Sequence, residues 1–98
     1  MNFIIHPEAE AEFYDAVAFF ELRVEGLGKD FAREVFSTID RILNMPYAWS
    51  SMSESIHRCL CKRFPYSIIY EILDDENLAI LAIAHSSREP NYWKHRLA

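Results

Sequence analysis

His57, Cys59, Cys61, His85 and His95 are side chains of metal-ligating or nucleophilic type, and such chemistry depends on spacing. Cys59 and Cys61 alternate onto one face of a strand, with no Cys-x-x-Cys pair, no His-x-x-x-His pair and no glycine-framed serine beside them. Reduced, buried thiols are expected, and no metal. Two glycines, Gly26 and Gly28, cannot build a cradle of backbone amides for a phosphate, so no cofactor is implied. The basic residues say more. Arg58, Lys62 and Arg63 lie in one stretch and Arg88, Lys94, His95 and Arg96 in another, with Tyr66, Tyr92 and Trp93 among them. Converging on one face, they would suit a phosphate backbone with stacked bases, or equally an acidic protein surface. Each cation has the alternative of pairing with one of the 15 carboxylates. His85 has that of bonding a neighbouring backbone group, and the Tyr92–Trp93 pair that of pinning the tail to the core.

These residues need elements to carry them. Residues 2–5, NFII, form a short apolar run before Pro7, which reads as a strand leading into a helix that takes proline in its first turn. From Glu8 onward, Ala9, Phe13, Ala16, Val17, Phe20 and Val24 recur at helical spacing, and Gly26 marks the end. Leu27-Gly28 is the hinge. A second helix is expected from Lys29 or Asp30, with Phe31, Val35, Ile39, Ile42 and Leu43 on one stripe and Pro46 as its stop. So short a connection makes the two helices antiparallel. Residues 47–55 have neither period and read as a loop. Three strands should follow, Ile56 to Arg63, Tyr66 to Leu73 and Leu78 to Ala84, joined by hairpin-sized turns. The expected fold is α+β: two antiparallel helices on a four-stranded, mainly antiparallel sheet in the order β-α-α-β-β-β, ending in a short tail or helix.

The chain has 98 residues, 51% of them hydrophobic, which bounds it to a single domain over 1–98 and argues against disorder. No apolar run approaches the ~18–20 residues of a membrane span, and the first residues do not read as a signal peptide, so a cytoplasmic protein without membrane contact is expected. The formal net charge of −5 does not favour general attraction to nucleic acid. The sign is uneven: residues 1–55 hold 4 basic and 10 acidic side chains, residues 56–98 hold 6 and 5. An anion-binding surface therefore belongs in the second half.

Residues 62–70, KRFPYSIIY, the AIAH of 82–85, the HPEA of 6–9, the Gly26-Leu27-Gly28 hinge and the ending HSSREPNYWKHRL of 85–97 together resemble the RelE/ParE superfamily of toxins from bacterial type II toxin–antitoxin modules. The resemblance covers nearly the whole chain. It implies two antiparallel helices on an antiparallel sheet, and a cognate antitoxin protein that wraps the toxin and brings operator DNA to the pair. Messenger-RNA-cleaving members, which work on the ribosome, carry Arg after the tyrosine of the middle strand, where this chain has Ser67; of two lysines on the preceding strand, Arg58 keeps the charge and Leu60 does not. For such a ribonuclease the catalytic set would be Arg58, Lys62, Arg88, Tyr92 and His95. The RFPY turn and the His-x-x-Arg-x-Pro-x-Tyr-Trp ending look more like the ParE branch, a plasmid-stabilisation-type toxin whose described target is DNA gyrase and which acts by binding. The resemblance then implies Arg58, Lys62, Arg63, Tyr66, Arg88, Tyr92 and Trp93 as the target-binding surface. A degenerate member that only binds its antitoxin is the remaining alternative.

Overall fold

Pro7 fixes where the first helix begins. It occupies the first helical position, where its missing N–H costs nothing, and the His6 Nδ1 ahead of it accepts the Glu8 N–H at 3.1 Å. The computed structural model describes residues 1–98 and shows strand β1 (Asn2–Ile5), helices α1 (Pro7–Arg23) and α2 (Leu27–Asn44), then strands β2 (Ser50–Ser51), β3 (Ile56–Leu60), β4 (Tyr66–Ile72) and β5 (Asn77–His85). A 3-10 turn at Lys94–Arg96 closes the tail.

The second helix starts earlier than Lys29 for a physical reason. Gly26 adopts φ 87°, a left-handed turn that reverses the chain. The Glu21 carboxylate then accepts the N–H groups of Gly26 and Gly28 at 2.9 and 3.0 Å, satisfying free donors at the start of α2. At Gly28 the helices touch so closely that a Cβ would lie 2.6 Å from the Val17 carbonyl oxygen.

The sheet has five strands in the order β1-β5-β4-β3-β2. The expectation of four is corrected by β2, two serines in the stretch read as a loop, where Ser50 faces Arg58 and Ser51 faces His57. Side-chain period is invisible in two residues, and this pair is held by what surrounds it: the Trp49 indole donates to the Arg41 carbonyl at 3.3 Å and the His57 Nδ1 meets the Trp49 carbonyl at 3.0 Å. The sheet is also mixed, since β1 pairs with β5 in parallel, Phe3 opposite Leu78 and Ile5 opposite Ile80, while every other pair is antiparallel. β3 ends at Leu60 rather than Arg63, because the chain turns over Phe64-Pro65 with Arg63 at φ 70°.

Both helices cover one face. There Phe31, Val35, Ile39 and Ile42 of α2 meet Ile68, Tyr70, Leu78 and Ile80 of the sheet, and Phe20, Phe31, Phe64 and Tyr66 stack edge to face or tilted at centroid distances of 4.8–6.0 Å. Tyr66, Ile68, Tyr70 and Ile72 of β4 share the face the helices cover. The thiols of Cys59 and Cys61 lie on this side also, free and unbridged. Burial pushes the Cys61 thiol up to about 11.

The other face is shaped by an irregularity. Ile69 pairs with Ala82 but Tyr70 with Ile80, so Leu81 is an extra residue on β5. Leu81 and Ala82 therefore both join the outer cluster with Ile56, Ile69 and Ala84, and Trp93 of the tail covers them at 3% exposure. No helix is long and apolar enough to cross a membrane.

Candidate target-binding site

β1 is shorter than β5. It stops at Ile5, opposite Ile80, and leaves the last turn of β5 without a strand neighbour on that side. Backbone polar groups there need partners, and a pair of side chains from the two ends of the sequence supplies them. The Glu12 carboxylate on α1 accepts the Ile83 N–H at 3.0 Å, and the Arg96 guanidinium donates to the Leu81 carbonyl at 3.0 Å. The two are joined to each other by contacts of 3.0 and 3.2 Å, and Arg96 also donates to Glu8 at 2.8 Å. The Arg96 side chain is 6% exposed and that of Glu12 15%.

The tail residues attach to this latch. The Tyr92 hydroxyl donates to Glu12 at 2.6 Å, and His95 meets Glu8 at 2.6 Å. Arg88 lies with its guanidinium 3.8 Å from the Tyr92 ring centroid and 3.7 Å from Glu12, a cation stacked on an aromatic face beside a carboxylate. Burial, followed by the Glu12 contact, pushes the Tyr92 phenol well above its ordinary range. The hydrogen bond with His95 leads the causes that hold the Glu8 carboxyl below its own.

Two shallow clefts flank Arg88. The first, of about 230 Å³ on the outer sheet face, is lined by Arg58, Ile69, His85, Arg88, Tyr92 and Trp93 among others. The second lies at the free edge of β5, between Glu12, Asp15, Phe19, Tyr66, His85 and Arg88.

The candidate residues thus divide. Arg58, Arg88, Tyr92 and Trp93 meet in the first cleft, although β3 and the tail are far apart in sequence. Tyr66 turns to the helix side, packs on Phe20 and Phe31 and lines the second cleft. Lys62 does not line either cleft; its backbone N–H is bonded to the Glu34 carboxylate at the helix side of the turn. Arg63 points to α2, 3.5 Å from Asp30, so the expected single cationic face does not include it. His95 is held outside the cleft by Glu8. Trp93 packs on the outer cluster, pinning the tail to the sheet, and also lines the cleft. Of the two residues that organise the site, Arg96 is one of the tail cations singled out in the sequence, and Glu12 is not singled out; Glu8 and Glu12, four apart on α1, are indistinguishable in sequence from any solvated acidic face.

The ParE toxin profile, described as the ParE toxin of the type II toxin–antitoxin system parDE, matches residues 3–90. No curated protein matches in sequence. Among solved structures, one titled "Chromosomal ParDE TA system from P. aeruginosa" aligns at TM-score 0.58 and 15% identity, covering 87% of this chain and 95% of that one. At that identity the likeness is one of fold alone. The profile match spans most of the chain and fixes the family: the protein belongs to the ParE toxins of type II toxin–antitoxin systems.

Proposed function

We propose that the chain inhibits DNA gyrase by binding it, without a catalytic step, and that a cognate antitoxin protein neutralises it and carries the pair to operator DNA. The observation that carries the binding reading is the fixed state of the tail. A ribosome-dependent endoribonuclease of this fold needs a late proton-transfer group, and Tyr92 is instead a hydrogen-bond donor to Glu12 with its phenol pushed up. Arg88 lies stacked on the Tyr92 ring beside Glu12 with half of its side chain exposed, which suits presentation to a partner surface. Arg58, with Arg88, Tyr92 and Trp93, forms the recognition patch, and Lys62, Arg63 and Tyr66 lie towards the helix side as a secondary contact.

Inducing the chain alone in bacteria while following DNA supercoiling, the DNA-damage response and message integrity tests this. Gyrase poisoning gives DNA damage with messages at first intact. Cut messages would replace the proposal by the ribonuclease reading, and normal growth by a degenerate antitoxin-binding member. Arg88→Ala is expected to fold normally and lose growth inhibition; unchanged inhibition by a well-expressed variant removes Arg88 from the patch.

A further inference from the structure

The cleft beneath Trp93 carries more cationic and N–H donor groups than anionic ones. Arg58 projects from the outer face of β3 and makes neither a hydrogen bond nor an ion pair within the chain. The Trp93 indole N–H is likewise unbonded and reaches solvent, while the rest of the residue is buried. His85 accepts the Ser87 N–H on its Nδ1 at 3.0 Å, with the Ser87 hydroxyl 2.8 Å away. A neutral imidazole that accepts on Nδ1 carries its proton on Nε2, so this ring offers a further N–H. Arg88 adds a guanidinium only partly engaged at 3.7 Å from Glu12. Against these the cleft has one carboxylate, Glu89, which forms no ion pair. Met52, Ile69, Ala84 and Pro90 supply apolar wall, and Ser67, Ser86 and Asn91 add groups that both donate and accept.

From this lining we infer that the cleft is a carboxylate-binding site, taking an aspartate or glutamate side chain flanked by apolar residues in an extended segment of a protein partner. The inference deepens the proposed function and rests on its claim that the chain works by gripping a protein. Charge decides between a carboxylate and a nucleic acid. Asp15 and Glu12 line the adjoining cleft and the chain carries −5, so a run of phosphates leaving the pocket would meet repulsion within a Debye length of ~8–10 Å. A single carboxylate with apolar neighbours brings one charge there instead of a run of them, and meets correspondingly less. Size agrees: pockets for drug-sized ligands run to ~300–1,000 Å³, whereas about 230 Å³ admits one or two side chains.

The test uses the full chain labelled with 15N, reading the indole N–H signals of Trp93 and Trp49, the latter assigned by Trp49→Phe. The probes are the capped peptides acetyl-Leu-Asp-Leu-amide and acetyl-Leu-Asn-Leu-amide, and a hexamer of thymidylate. The aspartate peptide is expected to shift the Trp93 indole saturably at millimolar concentration, the asparagine peptide not to. Arg58→Gln, at an exposed and unpaired position, should weaken binding by about tenfold, as loss of a charge-assisted hydrogen bond does. No shift at millimolar peptide, equal binding of both peptides, an unaffected Arg58→Gln, or preference for the thymidylate hexamer would each overturn the inference. Induction separates it from the parent proposal: a chain that binds the aspartate peptide yet leaves gyrase untouched keeps the cleft and loses the target, and the reverse result keeps the target and loses the cleft.

Discussion

Glu12 is the residue on which most depends. One carboxylate, largely buried, serves the β5 backbone, Arg96, Tyr92 and Arg88. Removing one partner from a buried ion pair costs ~3–5 kcal/mol, so Glu12→Ala should lower the urea midpoint sharply, with Glu12→Gln recovering part of the loss. Arg88→Ala, whose side chain is 51% exposed, should cost less than ~1 kcal/mol. Equal losses for the two in urea titrations would show that the latch does not centre on Glu12. The thiol of Cys61 sets a different dependence. Its ordinary value is 9.0 and burial raises it to about 11. Below pH 9 folded and unfolded chains both keep the proton; between 9 and 11 the unfolded chain releases it and the folded chain does not, so stability falls as pH rises. Urea midpoints across that window should fall less steeply in Cys61→Ala. At this scale the sequence was half legible. Arg88 and Tyr92 stood out because a family ending carries them, whereas the Arg96–Glu12 contact joins residues 84 positions apart and no local pattern announces such a pair.

Elements were read more fully, and where they were misread the cause is local geometry. Hydrophobic period located both helices and β3 to β5, since an apolar stripe must be buried whatever the connections. It missed two residues of β2 and could not show that β1 runs parallel to β5, because direction is fixed by the partner and not by the strand's own pattern. The α1–α2 hairpin offers a direct check. Gly28→Ala places a methyl 2.6 Å from the Val17 carbonyl, and such overpacking costs ~1–3 kcal/mol, or a fall in melting temperature of roughly 5–20 °C for a domain of this size. A melting point unchanged in Gly28→Ala would mean that the helices separate freely. The loop carrying β2 is tied by the buried Tyr70, whose hydroxyl donates to the Pro46 carbonyl. Tyr70→Phe leaves that acceptor unpaired at a cost of ~1–3 kcal/mol. Amide exchange should quicken at Met52 and Ser53, which bond to Ile56, and unaltered exchange there would detach the loop from this anchor.

For the whole molecule, charge and layering act together. The helix layer and its acidic first turns occupy one side, with Glu8 and Glu10 at the start of α1, and the donor-lined cleft opens on the other face of the sheet. A net −5 opposes non-specific attachment to duplex DNA. The isolated chain is therefore expected to pass through a DNA-cellulose column at physiological salt; retention would show that the local patch outweighs the total. Total charge holds no positional information: Arg63 turns away from Arg58 at a left-handed turn, and the length of the tail brings Arg88 beside Arg58.

The short first strand has a consequence for how such a chain comes to be finished. Residues 2–5 are synthesised well before residues 77–80, their strand partners, and Glu12 well before its counter-ions Arg88 and Arg96. Order of manufacture and order of assembly therefore run against each other, and contacts so distant along the chain make for slow maturation. A nascent chain still lacking its final turns holds an open sheet margin and a bare carboxylate, so the candidate face is the part of the molecule completed last.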